Sequence, residues 1–138
     1  MLKVLFAILF LNLHFTSAPE KNAINYHKTF RDAKKAALGS GKPIFVIMHM
    51  DHCRPCDYME HEVLNKKPVV EFFNSNYECV KLMNNDFNGK AFAFKYDIWA
   101  YPTMMIFNHM GDHIITVEGA KKKEELLEMA KKYCQDSR

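Results

Sequence analysis

Residues 43–50, PIFVIMHM, form an apolar run that leads within three residues to the pair Cys53-x-x-Cys56. The run is too short for a helix and rich in β-branched side chains, so it reads as a strand buried on both faces. A strand with no polar face belongs in the middle of a sheet covered on both sides, and the flanking sequence must supply the covering helices. The segment that follows, DHCRPCDYMEH (51–61), holds two cysteines, two histidines, a methionine, three acids and an arginine. The spacing C-x-x-C serves a redox dithiol, a cage for a soft metal ion or a structural staple. The remaining chain has to decide between them.

Ahead of the strand, INYHKTFRDAKKAALGSGKP places Tyr26, Phe30, Ala33, Ala37 and Leu38 at helical spacing, stopped by Gly39, Gly41 and Pro43. Behind it, CDYMEHEVL is helical, with Cys56, Met59, Val63 and Leu64 inward, and breaks near NKKP. A short helix starts at Pro68, a favourable early position. YECVKLMN alternates as a strand containing Cys79, and NGKAFAFKYD is a short helix. TMMIFNH and DHIITVEG form a hairpin turning at Gly111. KKKEELLEMAKKY ends the pattern as an amphipathic helix with Leu126, Leu127, Ala130 and Tyr133 inward. Strands alternating with helices predict an α/β fold: a central mixed sheet flanked by helices, its first strands parallel.

Sites in such sheets form beyond the carboxyl ends of the strands. The cysteine pair falls there and opens a helix. Unpaired N–H groups and about half a positive charge at a helix N-terminus stabilise an anion. Cys53 is therefore the expected nucleophile, and Cys56, one turn further in, the resolving thiol. Arg54, and His52 when protonated, add positive charge that tunes Cys53. Such surroundings lower a C-x-x-C thiol from ~8.5 to ~3.5–7.5. Asp57 opposes thiolate formation at Cys56, and Pro55 stiffens the loop.

A length of 138 residues suits one domain. Lys3, an apolar run over residues 4–13 and the small residues Thr16, Ser17 and Ala18 have the anatomy of a signal peptide. We expect residues 1–18 to be cleaved, leaving a domain over 19–138 that is periplasmic or secreted. An uncleaved anchor is the alternative, although the run is short of the ~20 apolar residues a span needs. The net charge of +3 falls to +2 once Lys3 is gone, too balanced to argue for nucleic acid. No second apolar span follows, so no membrane association is expected after cleavage. Cys79 and Cys134 read as core thiols, and a disulfide between them stays open.

Far from the cysteines stands AYPTMMIF, a proline directly before a strand, where a cis bond signals a role. PIFVIMHMDHCRPC followed by a helix, then YDIWAYPTMMIF, a glycine hairpin and a last helix, together resemble the thioredoxin superfamily over residues 26–134. The likeness is to exported bacterial thioredoxin-like proteins, including the C-terminal domain of the transmembrane reductase DsbD. The resemblance implies a thioredoxin fold and thiol–disulfide oxidoreductase activity, with Cys53 attacking and Cys56 resolving. It makes Pro102 the cis proline and has the Tyr101 backbone meet an incoming substrate strand. It also implies a monomer that needs no cofactor beyond the dithiol, acts on protein disulfides or thiols and is recycled by a redox partner. Three positions depart from the family: His52 replaces the usual tryptophan, Arg54-Pro55 fills the dipeptide, and Ile47 stands where thioredoxin has a buried acid. His49, on the same strand face, is a substitute for that acid or a satisfied buried histidine. A reductive direction follows from the resemblance, whereas the charge of Arg54 favours an oxidant.

Two other functions compete. His49, Met50, His52, Cys53, Cys56, Met59 and His61 cluster as soft donors suited to binding or transferring copper. Structural zinc would need a second ligand pair, which the sequence lacks. Alternatively, Trp99, Met104 and Met105 line an adaptable apolar groove of a folding-assistance module, unless the two methionines alternate across a core strand.

Overall fold

The structure is a computed structural model that describes residues 22–136. The expected leader, residues 1–18, lies outside the described residues. Strand β2 (Ile44–His49) is buried along its whole length. It pairs in parallel with β3 (Glu78–Met83) on one side and antiparallel with β4 (Thr103–Phe107) on the other. A two-residue strand, β1 (Tyr26–His27), adds in parallel to the far edge of β3. β5 (His113–Glu118) pairs antiparallel with β4, giving a five-stranded mixed sheet in the order β1-β3-β2-β4-β5.

The two faces of β2 define two core layers. Ile44, Val46 and Met48 pack with Ala33 and Ala37 of α1 (Phe30–Ser40) and Phe92 of α4 (Phe87–Lys95). Phe45 and Ile47 pack on the other side with Met59 and Val63, Val69 and Phe73 of α3 (Lys67–Asn76), and Leu126 and Ala130 of α5 (Lys123–Asp136). Between β2 and α3 runs α2 (Arg54–Tyr58), which continues into a π-helical turn (Met59–Val63). Cys56, Met59, Val63 and Leu64 are all buried, as their spacing predicts.

The helical pattern from Tyr26 to Leu38 is only partly realised. Thr29 caps α1, its hydroxyl accepting the Asp32 N–H at 3.1 Å, so the helix starts at Phe30. Tyr26 lies ahead of that cap and pairs with β3 instead, opposite Cys79. Leu38 is 61% exposed. Helix α1 runs through Gly39 and stops at Gly41, whose φ of 71° closes the end by donating its N–H to Ala37.

Among the described residues, no helix is long and apolar enough to cross a membrane. Two glycines make opposite predictions about packing. A Cβ at Gly89 would meet the Met83 carbonyl oxygen, whereas one at Gly39 meets nothing within 4 Å. Gly89→Ala is expected to cost about 1–3 kcal/mol or more through overpacking. Gly39→Ala should stabilise by about 0.5–1 kcal/mol as a helix-interior replacement. Urea denaturation of the two variants checks both signs.

Candidate redox site

The chain leaves the end of β2 at His49 and enters α2 through a turn in which His52 adopts φ 54°. That left-handed conformation suits few residues with a Cβ, and here it turns the chain so that Cys53 becomes the cap of α2. Cys53 Sγ accepts the Cys56 N–H at 3.2 Å, taking up one of the helix's unpaired donors. Cys53 and Cys56 form a disulfide with their Cα atoms 5.2 Å apart. Both are nearly buried, at 5% and 2% exposure.

From across the sheet end comes the loop ahead of β4. Its Tyr101–Pro102 peptide bond is cis, and the Tyr101 carbonyl oxygen lies 3.7 Å from Cys53 Sγ. In the dithiol state that oxygen is placed to accept the Cys53 S–H. The loop is held from both sides: the Pro102 carbonyl accepts the Gly119 N–H at 2.8 Å, and the Thr103 hydroxyl donates to the Ala100 carbonyl at 2.7 Å. The structure thus brings Cys53, Cys56, Tyr101 and Pro102 to one end of the sheet, as the sequence places them. His52 and Arg54 flank Cys53 in the chain and are exposed.

His49 differs from the satisfied buried histidine of one sequence reading. It is only 6% exposed, yet its Nε2 has no hydrogen-bond partner. Burial pushes its pKa below the ordinary histidine value, against an upward pull from Glu60. Glu60 is itself half-satisfied: Oε1 accepts from Lys81 Nζ at 2.9 Å, while the buried Oε2 has no partner. Sequence reasoning missed Glu60 and Lys81. The available signals were helical spacing, with Glu60 four residues after Cys56, and a lone lysine among the apolar residues Val80, Leu82 and Met83.

Met104 and Met105 are both buried, one in each core layer, so neither lines a groove. Trp99, by contrast, is 83% exposed in the loop ahead of the cis bond. Met59 is a core residue whose sulfur accepts the Lys121 N–H at 3.3 Å. Among the described residues no three His, Cys, Asp or Glu side chains gather as metal donors. Cys79 and Cys134 are buried thiols, not a disulfide. Burial, reinforced by Glu78, pushes the Cys79 thiol above its usual pKa. Cys79 sits at the start of β3, opposite Phe45 and remote from the strand ends that carry the dithiol.

A mixed sheet with two helical layers and a C-x-x-C pair at a helix start is the thioredoxin fold, and this arrangement supports thiol–disulfide redox function. The family profile described as a thioredoxin-like domain matches residues 30–133, and the chain belongs to that family. Among solved structures, a thioredoxin from Thermus thermophilus is similar at 18% identity and TM-score 0.73, covering 81% of this chain and 88% of that one. A putative disulphide-isomerase from Bacteroides thetaiotaomicron is similar at 27% identity and TM-score 0.69, covering 84% and 96%. An oxidoreductase named DsbH is similar at 14% identity and TM-score 0.64, covering 86% and 92%. No curated protein sequence matches the chain.

The buried imidazole has a consequence for stability. The folded chain holds His49 neutral below the pH at which the unfolded chain, near ~6.5, takes up a proton. The unfolded state therefore binds more protons in that window, and stability falls as pH drops below about 6.5. His49→Gln should remove this part of the acid sensitivity, so its urea midpoint falls less between pH 7 and pH 5.5 than that of the parent.

Proposed function

We propose that the chain is an exported thiol–disulfide oxidoreductase that works mainly in the reductive direction. The observation that carries this reading is the position of Cys53 Sγ, which accepts a helix N–H at 3.2 Å and lies 3.7 Å from the Tyr101 carbonyl. One sulfur is thereby stabilised as an anion and set beside backbone that an extended substrate can pair with. Cys53 is the nucleophile, Cys56 the resolving thiol, Tyr101 and Pro102 the substrate contact, and His52 and Arg54 the tuning charges.

In the proposed cycle, the Cys53 thiolate attacks a substrate disulfide, and one substrate sulfur leaves as a thiolate that takes up a proton. Cys56 then attacks Cys53 Sγ, breaking the mixed disulfide and releasing the second substrate sulfur. The Cys53–Cys56 disulfide remains, and a separate redox partner returns two electrons to it. No cofactor beyond the dithiol enters the cycle. The similarity to a structure titled as a putative disulphide-isomerase is consistent with exchange on protein substrates. Removal of residues 1–18 would deliver a monomeric domain to the periplasm or the medium, and sequencing of the exported chain is expected to begin at Pro19.

The deciding measurement is the equilibrium of the Cys53/Cys56 pair in a glutathione buffer series, with and without stoichiometric Cu(I). A potential near ~−270 mV is expected for a reductase, and one near ~−120 mV would reverse the proposed direction. Failure to cycle in glutathione together with tight binding of one Cu(I) would replace the redox reading with a metal one. Cys56→Ser is expected to accumulate a mixed disulfide with a peptide disulfide, seen by mass spectrometry. Cys53→Ser should accumulate none.

A further inference from the structure

Met59 stands three residues beyond Cys56 and is fully buried, yet its sulfur has a polar task. The helical segment that opens at Cys53 changes there to a π-helical turn, closed by the Leu64 N–H donating to the Met59 carbonyl at 2.8 Å. Met59 Sδ accepts the Lys121 backbone N–H at 3.3 Å, from a segment 62 residues away in sequence. Lys121 lies between β5 and α5, two residues beyond Gly119, where a φ of 80° turns the chain out of the sheet. The Gly119 N–H donates to the Pro102 carbonyl at 2.8 Å, one step past the Thr103–Glu118 pair of the β4–β5 ladder. Across the cis bond from Pro102 is Tyr101, whose carbonyl oxygen lies 3.7 Å from Cys53 Sγ. Three contacts and two short runs of backbone thus join the thioether to the attacking sulfur.

A backbone N–H turned toward a core needs an acceptor, whereas a thioether is a weak acceptor that loses little when unpaired. The bond therefore serves the loop more than the methionine. Two further bonds tie the same loop: Lys121 Nζ donates to the Glu118 carbonyl at 3.1 Å, and the Lys122 N–H to Glu125 Oε2 at 2.8 Å. Of the three, the bond to sulfur alone reaches the helical segment that carries the cysteines. We propose that Met59 is a positioning residue: through the Lys121 N–H it fixes the Gly119 turn, which holds the Pro102 carbonyl and keeps the Tyr101 carbonyl beside Cys53. The proposal rests on the dithiol reading above and adds a residue to its substrate side. Two effects follow. An extended substrate meets Tyr101 backbone already in place, so less ordering is left for binding. In the dithiol state the same carbonyl accepts the Cys53 S–H, which favours the neutral thiol against the helix N–H that favours the thiolate.

Met59→Leu keeps the apolar volume and removes the acceptor. In a Cys56→Ser background, alkylation of Cys53 by iodoacetamide is followed by mass spectrometry from about pH 4 to about pH 10. Loss of the positioned carbonyl should move the Cys53 midpoint in Met59→Leu to lower pH by about 0.3–1 unit, the size set by one net hydrogen bond. With both cysteines present and dithiothreitol as electron donor, Met59→Leu should raise KM for a peptide disulfide about fivefold with little change in kcat. Its rate with the small disulfide dithiobis(nitrobenzoate), measured above the midpoint, should change by less than about twofold. Lys121→Ala keeps the N–H and loses only the ammonium, so it should match the parent throughout. An unmoved midpoint or an unmoved KM in Met59→Leu, or the same shifts in Lys121→Ala, would overturn the proposal and leave the dithiol reading standing. If the Met59→Leu chain does not fold, hydrogen exchange of the parent decides: slow exchange at the Lys121 amide supports the bond, and exchange at the rate of an unstructured peptide overturns it. A parent pair that does not cycle in the glutathione series would sink both readings together.

Discussion

Ile44, Val46 and Met48 point into the layer built by α1 and α4, while Phe45 and Ile47 point into the layer that includes α3 and α5. Strand β2 therefore cannot exist without both layers. Each such side chain is worth about 1.5–3 kcal/mol when fully buried, and one strand concentrates five of them. The flanking β3 and β4 complete its hydrogen bonding, so backbone and side chains of β2 are satisfied only when the whole sheet is assembled. The chain first returns to solvent where β2 ends, at Met50, and the turn that follows carries the dithiol. The cysteine pair follows directly on a strand buried along its whole length.

That placement separates two sulfurs only three residues apart. Cys53 takes the helix N–H and the neighbouring Tyr101 carbonyl. Cys56 faces inward toward Met59 and the core. His49, Glu60 and Lys81 bring imidazole, carboxylate and ammonium groups to an otherwise apolar face.

The sheet, the cysteine pair and Pro102 were legible because each is written locally. PIFVIMHM has no polar side to misread, and C-x-x-C at a strand end fixes which cysteine caps the helix. The boundary at Thr29 was not legible from periodicity: Tyr26 stands at helical spacing from Phe30, but a single threonine cap outranks it and hands Tyr26 to β1. Strands of two residues carry almost no periodic signal, so β1 emerges only through its pairing with Cys79 and Val80. Met104 and Met105 show the same limit at the site. Alternation along β4 predicts opposite faces, but only the packed helices reveal that both faces are closed. The Glu60–Lys81 pair joins residues 21 apart in sequence, and nothing in either segment alone names the other.

Trp99 is the single tryptophan of the chain, and it stands outside both core layers. Its indole N–H donates to Asp97 at 2.6 Å, on the loop that leads into Tyr101 and Pro102. The intrinsic fluorescence of this protein is therefore a local signal. It starts from a solvated indole in the folded state, so loss of the core changes its surroundings little. The molecule carries an optical reporter of the loop ahead of Pro102, and one largely blind to unfolding.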